Sequence, residues 1–156
     1  MPVTIRTLLV IFAAAVLLPV SLRDARAQSV PGLGALAGVE SGADRFFAGG
    51  QIEVGPVFGF FHLVPSIYFT FDDGSTLTTV NGDFRAYLLP LPETGIRLYG
   101  AAGPTFEVSS DTDVGLTLAA GVNIPMKSTR RYNIEARFGF GDIPDLRIAA
   151  AVMFGL

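Results

Sequence analysis

Residues 132–141 read YNIEARFGFG, and the way this stretch alternates decides the fold. Tyr132, Ile134, Phe138 and Phe140 fall on one parity, Asn133, Glu135 and Arg137 on the other. A period of two is that of a β-strand, whose successive side chains leave opposite faces. The apolar face must then meet either protein or lipid.

The same alternation runs along most of the chain. Seven segments of about ten residues carry it: 46–54, 60–71, 76–89, 96–108, 114–124, 132–141 and 146–156. In VGLTLAAGVNI, residues 114–124, Val114, Leu116, Leu118, Ala120, Val122 and Ile124 share one face, and Gly115, Thr117, Ala119, Gly121 and Asn123 the other. The breaks are turn sequences: DDGS at 72–75, PLPETG at 90–95, SSDTD at 109–113, PMKSTRR at 125–131 and GDIPD at 141–145. Such short connections pair consecutive strands antiparallel in a meander. Pro65 and Pro104 fall inside segments and each lacks a ladder donor, which predicts a bulge or an unpaired position there.

The start of the chain is different. Arg6, the run LLVIFAAAVLLPV and the small-x-small triplet Ala25-Arg26-Ala27 have the pattern of a secretory signal peptide over residues 1–27, cut before Gln28. That apolar run is shorter than the ~20 residues a spanning helix needs. Residues 28–156 then form one domain. With no cysteine in the chain, this domain is held without disulfides. Setting aside Arg6, Arg23, Arg26 and Asp24 takes the 11 basic and 14 acidic residues to 8 and 13, a balance without the basic footprint of a nucleic-acid binder. Only Lys127 is a lysine, an unusual poverty for a soluble surface.

The polar face separates a soluble barrel or sandwich from a transmembrane barrel. It carries Gln51, Glu53, His62, Ser66, Tyr68, Thr70, Asn81, Asp83, Arg85, Tyr87, Arg97, Tyr99, Thr105, Glu107, Thr117, Asn123, Asn133, Glu135, Arg137 and Arg147, interleaved with glycine and alanine. Water-facing strands have no need of so many tiny residues, whereas a narrow lumen needs small side chains opposite large ones. Glu53, Asp83, Glu107 and Glu135 balance Arg85, Arg97, Arg137 and Arg147, and arginine suits a desolvated network because its fork binds a carboxylate through two bonds. Ten residues at ~3.4 Å each, tilted ~45°, rise roughly 24 Å, close to the ~25 Å apolar band of such barrels. Phe46, Phe61, Phe71, Phe106, Tyr132, Phe140 and Phe154 lie near strand ends, where aromatic girdles occur.

A single-chain barrel has an even number of strands. The eighth is expected at LGALAGV, residues 33–39, with Leu33, Ala35, Ala37 and Val39 facing lipid. The expectation is therefore an all-β, eight-stranded antiparallel up-and-down transmembrane barrel. This count also puts the acidic turns ESGAD, DDGS, SSDTD and GDIPD at one end.

In FFAGGQIEVG (46–55), LYGAAGPTF (98–106) and EARFGFGDIPDLRIAAAVMFGL (135–156) the chain resembles the small outer-membrane β-barrel proteins of Gram-negative bacteria, the group that includes the OmpA and OmpX barrels. The resemblance is one of pattern over nearly all of residues 28–156. It implies an outer-membrane location, contact with outer-membrane lipid and lipopolysaccharide, both termini in the periplasm, and a C-terminal strand read by the barrel-assembly machinery. In the family that strand usually ends on an aromatic residue; here Leu156 is last and Phe154 precedes it by two on the same face.

Two features invite a chemical reading. His62 is the sole histidine, and some eight-stranded outer-membrane barrels modify lipid A, but only Ser66 offers a close hydroxyl on its face, so a hydrogen-bonded lumen histidine is the favoured reading. Glu40, Asp44, Asp72, Asp73, Asp111, Asp113, Asp142 and Asp145 gather at one rim, where hard oxygen ligands could hold Ca²⁺ or Mg²⁺; none has calcium-loop spacing, and aspartate is common in turns. No nucleophile motif, phosphate-cradling loop or cofactor signature is present. The function expected is a non-enzymatic barrel with a filled lumen and no cofactor. A small passive pore is the alternative, followed by a lipid-modifying enzyme and a soluble periplasmic ligand-binding barrel.

Overall fold

The computed structural model describes residues 31–41, 45–72, 75–91, 93–126, 129–143 and 146–155. The signal-peptide reading of residues 1–27 lies outside them, as do Asp44, Asp73 and Asp145. Eight strands follow in order: β1 Gly32–Glu40, β2 Arg45–Phe58, β3 Phe61–Asp72, β4 Ser75–Pro90, β5 Arg97–Val108, β6 Thr112–Pro125, β7 Arg130–Gly141 and β8 Leu146–Gly155. Each pairs antiparallel with its neighbours in sequence, and β1 closes on β8 from Gly32 opposite Gly155 to Glu40 opposite Arg147. The sheet is a closed up-and-down barrel.

The segment least strand-like in sequence is the one that closes it. β1 is rich in glycine, which favours no strand, yet it has a complete ladder on both sides. Its inward glycines are covered by neighbours: Gly34 lies against the Met153 thioether and Gly38 beneath the Phe47 ring. A Cβ at either position would collide with those groups. The same exchange recurs at Gly49 under Tyr68 and Gly121 under Tyr99.

At both in-strand prolines the ladder is interrupted on one side and intact on the other. Pro65 pairs with Gly82 of β4, while the β2–β3 ladder passes from Gln51–Ser66 to Val54–Leu63. Pro104 pairs with Leu116 of β6, while the β4–β5 ladder passes from Asn81–Thr105 to Phe84–Ala102. The register shifts fall elsewhere, between Val54 and Phe58 and between Tyr87 and Pro90. Each proline thus leaves an unpaired position without a bulge.

The outside of the barrel is apolar. Leu116 is 62% exposed, Leu118 51%, Ile134 51% and Phe138 49%, while Thr117, Asn133, Glu135 and Arg137 between them are buried. Among the described residues, the only charged side chain on the outward parity of a strand is Arg130, at the rim, with its guanidinium 5.7 Å from the Phe154 ring. Phe46 and Phe71 stack at 6.4 Å near one end, and Phe60 and Phe61 at 4.4 Å near the other. The arrangement inverts a water-soluble core, with an apolar exterior around a polar interior.

Leu118 stands mid-strand, opposite Ala102 and Phe138. Leu118→Arg is expected to destabilise the barrel in lipid vesicles by about 2 to 4 kcal/mol, because it places a guanidinium near the bilayer midplane. Urea titration in vesicles checks this.

Candidate functional site: the lumen and its two mouths

Every inward position is supplied by the parity of a strand, and the lumen chemistry follows from which residues fall on it. Glu53, Asp83, Arg85, Glu107, Glu135, Arg137 and Arg147 are all buried there. Arg97 shares the inward parity but stands exposed at a mouth and, among the described residues, makes no ion pair. Parity gives the side of a strand but not the depth, and Arg97 is the first residue of β5.

Three residues that lie outside the strand segments read from the sequence belong to the network. Glu40 is the last residue of β1, Arg45 the first of β2 and Arg131 the second of β7. Extending the alternation by one residue at each strand end would have placed all three inside. With them the acids Glu40, Glu53, Asp83, Glu107 and Glu135 face Arg45, Arg85, Arg131, Arg137 and Arg147.

The buried guanidiniums tie opposite walls together. Arg85 of β4 reaches Glu135 of β7 at 3.2 Å and Glu53 of β2 at 3.5 Å. Arg137 of β7 returns to Asp83 of β4 at 2.6 Å and holds Glu135 at 2.8 Å. Arg147 of β8 donates to Glu107 of β5, to the Tyr68 hydroxyl at 2.7 Å and to Glu40 at 2.7 Å. Arg137 and Arg147 are direct cross-strand neighbours, an arrangement of like charges that is unfavourable unless each turns to its own acids, as here. A belt of neutral groups runs beside them: Asn81 donates to Ser66 at 3.1 Å and Thr105 to Asn81 at 2.6 Å.

The lumen is not polar throughout. Leu36, Phe47, Tyr68 and Ala151 form a small apolar cluster inside, with Phe47 and Tyr68 ring centroids 4.8 Å apart. Beside these side chains the interior narrows to voids of about 10 and 20 Å³. A single water needs ~10–15 Å³ measured in this way. Among the described residues, larger spaces open toward the ends, a vestibule of about 580 Å³ at the mouth where β1 begins and β8 ends and one of about 470 Å³ at the opposite mouth.

His62 stands in the first vestibule with Nδ1 3.0 Å from Glu53 and its ring edge-on to Tyr87. Ser66 points elsewhere, accepting from Asn81. The second vestibule carries the acidic turns. Asp113 and Asp142 line it, and Asp72 lies 3.5 Å from Arg45. Among the described residues no three carboxylates, histidines or cysteines gather into a metal-holding group, although Asp72, Asp111, Asp113 and Asp142 are within the described part. Ile143, in the β7–β8 turn, is buried against Gly115 and covers part of this mouth.

In three dimensions the chain superposes on the N-terminal β-barrel domain of Pseudomonas aeruginosa OprF with a TM-score of 0.63, at 15% identity over 81% of this chain and 98% of that one. The shared fold is the closed eight-stranded transmembrane β-barrel. A de novo designed transmembrane β-barrel matches it nearly as well, with a TM-score of 0.62 at 12% identity over 81% of this chain and 94% of the design. No family model and no curated protein matches the sequence. A natural and a designed barrel sharing this frame at such low identity fits a fold set by alternation and closure rather than by particular residues.

Arg137→Ala is expected to destabilise the barrel by roughly 3 to 5 kcal/mol, because Asp83 and Glu135 would remain buried without their shared partner. Arg97→Ala, at an exposed position, is expected to fall within about 0.5 kcal/mol of the parent. Parallel urea titrations of the two variants in vesicles read the difference.

Proposed function

We propose that the chain is exported by residues 1–27 and serves in the bacterial outer membrane as a non-conducting, non-enzymatic barrel with a structural or surface role. The observation that carries this reading is the filled lumen. Between the two vestibules the space shrinks to voids of about 10 and 20 Å³, bounded by Arg85, Glu135, Arg137 and Arg147. Each of these groups is tied to the far wall by charge-assisted bonds, which resist being drawn aside to open a water path. An eight-stranded barrel has room for its own side chains and little else.

In this reading the mouth with the chain ends faces the periplasm and the acidic turns face outward, beside lipopolysaccharide. The β8 strand, with Phe154 on its outward face, is the segment offered to the barrel-assembly machinery. The likeness to transmembrane barrels and the apolar exterior support the membrane placement.

The test is conductance. Purified protein reconstituted in planar bilayers is expected to give no steady channel currents, and a sustained ion-selective current from the unmutated chain would replace the structural role with that of a small passive pore. Heat-modifiable gel migration of the same preparation verifies that the barrel is folded.

A further inference from the structure

The vestibule at the chain-end mouth has a use that a sealed structural barrel does not need. It has a volume of about 580 Å³, within the ~300–1,000 Å³ range of small-molecule sites. It is blind: its floor is the Glu53–Arg85 layer and the filled lumen beneath. Its wall is strongly unbalanced in charge. Arg97 and Arg131 line it from the inward faces of β5 and β7, with Arg130 at its rim, against Glu53 as the one carboxylate among its described lining residues.

That carboxylate is already taken. Glu53 accepts the Tyr87 hydroxyl at 2.8 Å, has His62 at 3.0 Å and receives Arg85 at 3.5 Å. Arg131 reaches it only at 3.7 Å, outside hydrogen-bond range, with a quarter of its side chain still exposed. Arg97 makes no ion pair among the described residues. Two guanidiniums therefore face the cup with donors to spare, and the planar guanidinium fork matches carboxylate and phosphate oxygens. Nearer the turns the wall is apolar, with Pro56, Phe60, Pro125 and Met126. Phe60 is 65% exposed and Met126 46%.

We infer that this vestibule is a binding cup for a small amphiphilic anion, with its carboxylate or phosphate on Arg97 and Arg131 and its apolar body against Phe60 and Met126. The cup could be filled from two sources, a soluble metabolite or the headgroup of an anionic lipid, and both present this chemistry. The inference goes beyond the structural role proposed above and needs only that the cup be closed below. Conductance tests that role, and a binding titration tests the cup independently.

The experiment is a titration of the full folded chain in zwitterionic bicelles, following arginine side-chain and backbone amide resonances by NMR. The probes are hexyl phosphate, inorganic phosphate and hexanol, with a parallel series in which part of the zwitterionic lipid is replaced by phosphatidylglycerol. Hexyl phosphate is expected to shift Arg97, Arg131, Gly95 and Thr129 saturably, with a Kd of about 1 mM or below. Inorganic phosphate should bind more weakly, and hexanol should not saturate. Arg97→Gln, at an exposed position outside the buried network, should weaken hexyl phosphate binding by about tenfold or more. If phosphatidylglycerol moves the same resonances in the absence of hexyl phosphate, the source is the lipid; if it does not, the source is soluble. The inference is overturned if neither hexyl phosphate nor phosphatidylglycerol produces saturable shifts at these residues, or if Arg97→Gln, still folded by its amide spectrum, binds hexyl phosphate as tightly as the parent.

Discussion

A polypeptide backbone surrounded by hydrocarbon has no water to bond, and every N–H and C=O it exposes there must find a partner within the protein. This constraint governs the rest of the molecule. A meander of eight strands satisfies it only by joining its first strand to its last, and the β1–β8 ladder does so over the whole of β1. Closure then fixes an inside and an outside, with alternate residues assigned to each. The low strand propensity of glycine-rich β1 is overridden by ladders on both sides and by Met153 and Phe47 lying across its glycines.

Closure also creates the second problem, a narrow interior filled with charges. A buried ion gains stability only where its partner and hydrogen bonds are in place, and removing one member costs more than the pair contributes. The barrel meets this with long arginine side chains that cross the lumen, Arg137 also pairing along its own strand with Glu135. Arg85 and Arg137 link β4 with β7, and Arg147 links β8 with β5. Three of the acids are shared: Glu135 between Arg85 and Arg137, Glu40 between Arg45 and Arg147, and Glu53 between Arg85 and Arg131. The consequence is a lumen that works as a core, and it underlies both the proposed lack of conductance and the blind floor of the vestibule.

The two mouths diverge in character. One carries arginines and apolar turn residues, the other aspartates with Ile143 folded over part of the opening. This polarity follows from topology, since an up-and-down barrel sends alternate turns to opposite ends. Turns far apart in sequence thereby become neighbours.

The sequence by itself determined seven strands and their faces, because period-two alternation is a local property and each of these carries it alone; the eighth followed from the even count that a closed single-chain barrel requires. It also placed Glu53, Asp83, Arg85, Glu107, Glu135, Arg137 and Arg147 on the inside and marked Pro65 and Pro104 as points where a ladder must break. Its errors lie at strand ends. Glu40, Arg45 and Arg131 fall just outside the strands read from the sequence because a boundary shifts by one residue with no change in composition, and Arg97 read as a lumen residue because parity carries no depth. What only the tertiary structure decided is who meets whom across the barrel. That Arg147 reaches Glu107 while its neighbour Arg137 turns to Asp83, that Phe47 and Leu36 make part of the lumen apolar, and that Arg97 and Arg131 share one cup all depend on register and closure. Those distances run through space between strands remote in sequence, and no local pattern encodes them.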